Sequence, residues 1–145
     1  MTTAQHLDLI DRLRAQSFVD TPVRLGRHSS GPGHHLLRLE ETGDFWEDDG
    51  SGRAEAAEQI SAEYAALTQA LTELWGVPLV FTLRSPAVGD AGEEGMPEPW
   101  EELGNSTDHV HVWRAGDRWL VACVTQWGEQ DSYALMAGVT VTDPP

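Results

Sequence analysis

Lysine is absent from this chain, cysteine occurs once, and no apolar run approaches the roughly 20 residues a membrane-crossing helix needs. A lone Cys123 excludes an internal disulfide and suits a reducing compartment. No basic stretch precedes an apolar one around Met1–His6, so no secretory signal is expected. The motifs of several chemistries are missing as well. There is no CxxC, no HExxH, no GxSxG and no glycine-rich phosphate loop. What remains is 145 residues of globular composition, 40% apolar and 23% charged, enough for one compact domain over 1–145. The expectation is a soluble, cytoplasmic protein.

All nine positive charges are Arg, and they face twenty-four Asp and Glu, for a formal charge of −15. So negative a surface repels phosphate backbones and anionic lipid headgroups, which argues against nucleic-acid and membrane partners. It would speed the approach of a basic protein instead.

Periodicity supplies the elements. Leu7, Ile10 and Leu13 form one apolar stripe and predict a short helix over 3–16. Ser17 to Gly33 is irregular and turn-rich, and His34–Leu39 predicts a strand. Ile60, Tyr64, Leu67, Leu71 and Leu74 share one face of a long helix over about 53–75. Gly76 suits its left-handed C′ position, Pro78 prevents continuation, and Val77 is placed to touch Leu71. Pro78–Arg84 predicts a strand. Residues 85–108 form a Gly/Pro-rich loop with seven acids and no basic residue.

The last third predicts a meander. His109–Ala115 and Arg118–Trp127 flank a two-residue Gly116-Asp117 turn, which sets Trp113 opposite Leu120 and His111 opposite Ala122. Val110, Val112, Trp119, Val121 and Cys123 then share the other face. If Ser132–Val141 turns its apolar side to that face, the intervening loop has an odd number of residues, such as Gly128-Glu129-Gln130. The expectation is that this face packs on the 53–75 helix. The fold class expected is α+β: a mostly antiparallel sheet of four to six strands, one long amphipathic helix on one face and a short N-terminal helix.

Two sets of residues are candidates for function. Trp46 with Glu47, Asp48 and Asp49, and Trp100 with Glu93, Glu94, Glu101 and Glu102, combine large aromatics with carboxylates. That is the composition of an interface hot spot meeting a basic surface. His109, His111, Trp113 and Gln126 fall by alternation on one sheet face and would line a cleft for a small molecule or an enzymatic reaction. His109 and His111 sit on one side of a strand, yet two imidazoles are short of the ligands zinc takes, so neither metal nor cofactor is expected. Asp44–Gly50 fails as a calcium loop, because Phe45 occupies the first ligand position. Cys123 is expected as inert packing, and no catalytic residue is assigned.

The run His111-Val112-Trp113-Arg114-Ala115-Gly116-Asp117-Arg118-Trp119-Leu120-Val121-Ala122, continuing to Tyr133–Val139, resembles the C-terminal hairpins of small acidic proteins of high-GC bacteria. Some of these resemble immunity proteins of toxin systems. The resemblance implies a protein that neutralises a basic toxin, such as a nuclease, by binding it. It carries across no functional residue.

Overall fold

The computed structural model describes residues 3–25, 28–41, 51–82, 100, 103, 107, 109–125 and 133–142. In chain order the elements are α1 (Thr3–Ala15), β1 (Val23–Leu25), β2 (His28–Gly31), β3 (His34–Glu41), α2 (Ser51–Trp75), β4 (Leu79–Thr82), β5 (His109–Ala115), β6 (Arg118–Thr125) and β7 (Ala134–Thr140). The fold is α+β. Its sheet is antiparallel throughout, in the order β1-β2-β3-β7-β6-β5-β4. Seven strands exceed the four to six expected, because the irregular 17–33 stretch holds β1 and β2. Polar His28-Ser29-Ser30-Gly31 shows no apolar alternation, so nothing in the pattern marks it as a strand. No helix among the described residues is long and apolar enough to cross a membrane.

The turns follow their residues. Gly33 has φ +89° after Pro32, the pair a type II turn requires between β2 and β3. Gly116 has φ +67°, and the β5–β6 register is the expected one, Trp113 opposite Leu120 and His111 opposite Ala122. Gly76 takes φ +94° at the end of α2, its N–H bonding the Thr72 carbonyl at 2.8 Å.

Strand β7 is central and buried along its whole length. Its register on β6 overturns one expectation. Leu120 pairs with Val139, Ala122 with Ala137, and Val124 with Leu135. That is one residue away from the pairing an odd-numbered loop would impose, and a one-residue slip exchanges the faces. Both helices therefore cover the face carrying Trp113, Leu120, Ala122, Leu135, Ala137 and Val139, to which Ile10, Leu13, Ile60, Leu67 and Leu71 contribute. Val110, Val112, Val121 and Cys123 form a second buried layer on the opposite face with Leu36, Met136, Trp100 and Leu103.

The last turn of α2 also departs from its expected stripe. Leu74 is 62% exposed and Val77 89%, so neither completes a hydrophobic cap with Leu71. Trp75 packs on the core in Leu74's stead, four residues on from Leu71, with the Arg14 guanidinium 4.3 Å from its ring.

At Gly138, strands β3 and β7 lie close together. A Cβ there would lie 2.8 Å from the His35 carbonyl oxygen and 2.5 Å from Leu36 Cδ2. Gly138→Ala should therefore cost about 1–3 kcal/mol, as overpacking does. Denaturant unfolding measures it, and a variant as stable as the parent would contradict the close pairing.

Candidate functional site

The β3–β7 ladder is irregular at one point. Arg38 pairs with Met136 but Glu40 with Leu135, so one residue, Leu39, is extra. Uninterrupted pairing would put Glu40 opposite Ala134, on the side away from the helices. The bulge re-aims it to the helix side, which is what bulges do beside sites. Leu39 itself is fully buried in the helix-side core.

Glu40 there meets two helices. His6 of α1, buried, donates from Nε2 to Glu40 Oε1 at 3.1 Å. From α2 come two rows spaced by four residues, Glu55, Gln59 and Glu63, and Gly52, Ala56 and Ile60. With Glu40 and Glu41 they line a cavity of about 320 Å³. Glu41 is exposed and accepts from Arg38 Nη1 at 3.3 Å. Among the described residues that line it none is basic.

Burial raises both inner carboxyls, and their proximity drives them apart. Glu63 is pushed up to about 7 by burial and by the neighbouring Glu40. In Glu40 burial is outweighed by hydrogen bonds, that from Glu63 foremost and that from His6 among the others, and its pKa is held at about 2. Over the interval between these values one proton serves two carboxyls and resides on Glu63. Glu63 Oε2 is buried and meets no hydrogen-bond partner among the described residues. Such a pair, one carboxylate and one carboxylic acid in a cavity, can hold a cation or hold and release a proton.

The sequence-derived sites fare differently. Trp46, Glu47, Asp48, Asp49, Glu93, Glu94, Glu101, Glu102 and Gln126 lie outside the described residues. Trp100 is 0% exposed, which corrects its expected role as an outward anchor. Its indole covers the second sheet face with Leu103, and its Nε1 donates to the Thr142 carbonyl at 3.2 Å. That face is apolar and would otherwise meet water, and a buried indole with its N–H satisfied is the stable arrangement.

The cleft over His109, His111 and Trp113 does not form either, because α2 lies on it. Trp113 is buried. Tyr64 of α2 donates its hydroxyl hydrogen to the Ala122 carbonyl at 3.1 Å, which leaves His111 Nδ1 to donate to the Tyr64 oxygen. The His111 ring stacks on Trp113, with His109, exposed, at its far edge. Burial, with His109 beside it, lowers the His111 pKa, and burial raises that of Tyr64. Cys123 is buried and its thiol is pushed up to about 12, which suits inert packing. Among the described residues no three His, Cys, Asp or Glu side chains group as a metal site.

Sequence reasoning missed the Glu40–Glu63 pair, since nothing in Leu39-Glu40-Glu41 announces a bulge. The available signal was the four-residue spacing of Glu55, Gln59 and Glu63. No protein-family model, no curated protein and no solved structure matches this chain.

The pair makes a signed prediction. A carboxyl raised in the folded state contributes stability that is present below its unfolded value near 4.5 and lost as pH rises through about 7. Glu63→Gln, a fixed mimic of the protonated form, should raise the melting temperature at pH 8 and leave it nearly unchanged at pH 4.5. In Glu40→Gln the Glu63 titration, followed by carboxyl-carbon NMR, should move down from 7. A Glu63 that titrates in the ordinary range in the parent would contradict the pairing.

Proposed function

We propose that this chain is an acidic protein-binding module that captures a basic partner, as an immunity-type inhibitor captures a cationic toxin. The observation that carries the reading is the cavity beside the β3 bulge, walled by Glu40, Glu41, Glu55 and Glu63, with no basic residue among the described ones that line it. A guanidinium or ammonium group of a partner entering it would find at least one full carboxylate already ionised, Glu40, and a second, Glu63, that ionises when a cation arrives. The net charge of −15 supplies the long-range part, drawing a basic surface in before any contact forms. Glu93, Glu94, Glu101 and Glu102, with Trp46 and its acids, extend the same sign of charge along the chain and belong to the proposal as steering groups. Trp100 does not, since it is a core residue.

Affinity capture from the source cells, followed by association kinetics with the captured protein, tests the reading. The captured protein should be basic, and its association rate should fall by roughly tenfold or more between 0.05 and 0.5 M salt. Charge reversal at Glu55, and separately at Glu93, Glu94, Glu101 and Glu102 together, should slow association with little change in stability. A captured partner of acidic or neutral charge, or a rate indifferent to salt and to these reversals, would overturn it.

A further inference from the structure

A second polar constellation lies away from the acidic cavity, where the connector after α1 crosses β2 and β3. His35 is fully buried, and both of its ring nitrogens are engaged. Nε2 is 3.0 Å from the Ser17 carbonyl oxygen, which can only accept, so Nε2 carries a hydrogen. In the neutral ring Nδ1 is then an acceptor, and Ser30 Oγ, 2.7 Å away, donates to it. The Ser30 hydroxyl has no second hydrogen, so His28 Nε2, at 2.8 Å, is the donor to Ser30. With His35 neutral the whole chain runs one way, from His28 through Ser30 and His35 to the Ser17 carbonyl.

The same contact ties down the connector. Phe18 stacks on the His35 ring at 5.1 Å between centroids, and the Arg118 guanidinium lies 4.2 Å from the centre of the Phe18 ring. Arg118 also donates to the carbonyls of Gln16 at 2.9 Å and Leu13 at 3.4 Å. Among the described residues the titratable and charged groups facing His35 are His28 from β2 and Arg118 from β6, both basic; the connector adds only backbone carbonyls and an aromatic ring.

We propose that the His28–Ser30–His35–Ser17 chain is a proton-sensitive latch, which holds the 16–22 connector and the β1–β2 edge on the sheet at neutral pH and releases them on acidification. A proton added at Nδ1 makes both His35 nitrogens donors. Ser30 must then turn to accept, and its own hydrogen is satisfied only if His28 exchanges tautomers so that Nε2 accepts, so the whole chain has to reverse. Among the described residues no carboxylate acts on the new charge, Asp20 of the connector being exposed, and the charge lies near Arg118 and His28. Burial, with those two basic groups acting the same way, lowers the His35 pKa against the opposing pull of the Ser17 carbonyl.

The sign follows directly. With the closed form disfavouring the proton, the latch is intact above the ordinary histidine value of about 6.5. Below it, the closed-to-open ratio falls by up to about tenfold per pH unit until the closed form itself takes up the proton. The element that opens is a sheet edge, where β1 pairs with β2.

Amide hydrogen exchange of the intact chain, corrected for intrinsic rates, should show protection over residues 16–31 falling about tenfold between pH 7.5 and 5.5, with α2 and the β5–β6 hairpin unchanged. His35→Gln retains a donor and an acceptor without a titratable ring, and its 16–31 protection should be indifferent to pH over this range. Where that variant does not fold, histidine ring NMR of the parent decides. The loss of protection must begin where the released His35 titrates. Constant protection, a loss spread evenly over the sheet, or a His35→Gln variant with the parental pH response would each overturn the latch.

Discussion

Everything in this sheet turns on β7, a strand buried on both sides whose pairing with β3 and β6 decides which half of the neighbouring side chains the helices can reach. Alternation leaves only two answers, and they differ by one residue of register. Val121 opposite Gly138, and not opposite its neighbour, sends Ala122, Leu120 and Trp113 to α1 and α2 and gives Val110, Val112 and Cys123 to the other side. Gly138 is the residue that lets β3 come close enough to hold this arrangement. Two apolar layers result, one under helices and one under Trp100 and Leu103. His111 of β5 thereby lies in the floor of a helix contact instead of a cleft, with His109 exposed at its edge.

The acidic cavity is a local exception to the same alternation. Because Leu39 is extra, Glu40 arrives on the helix side, next to Glu63, where two carboxyls cannot both ionise without mutual repulsion. His6 completes the junction, so α1, α2 and β3 meet at one polar point at the rim of an apolar core. At the other end of α1, the Leu13 and Gln16 carbonyls are held by Arg118, and Ser17 by His35. The short helix is therefore pinned at both ends by polar contacts that involve titratable groups, with Ile10 and Leu13 buried between them. Its docking combines apolar burial with these polar contacts at either end.

Local signals were legible in the sequence wherever a single residue type has one physical use. Gly76 takes the left-handed conformation expected of it, the Gly116-Asp117 turn sets the register expected of it, and the α1 and α2 stripes face inward over most of their length. What could not be read was parity. Both faces of β5 and β6 are apolar enough to be buried, so hydrophobicity alone does not choose between Ala122 and Cys123 as the residue under α2. The β2 strand is polar because its hydroxyl and imidazoles engage one another, and that network is invisible until the β2–β3 turn folds Ser30 onto His35. Trp100 shows the converse limit. An indole among acids has the composition of an exposed anchor, yet an uncovered apolar sheet face claims it.

The face assignment is the claim on which the cavity, the covered His111 and the two-layer core all rest. Nuclear Overhauser contacts from the Tyr64 ring test it most directly. The account predicts cross-peaks from Tyr64 to the His111 ring, whose centre is 5.2 Å away, with none to the side chains of Cys123 or Val121. Cross-peaks from Tyr64 to Cys123 and Val121, with His111 free of them, would place α2 on the opposite face and contradict the account.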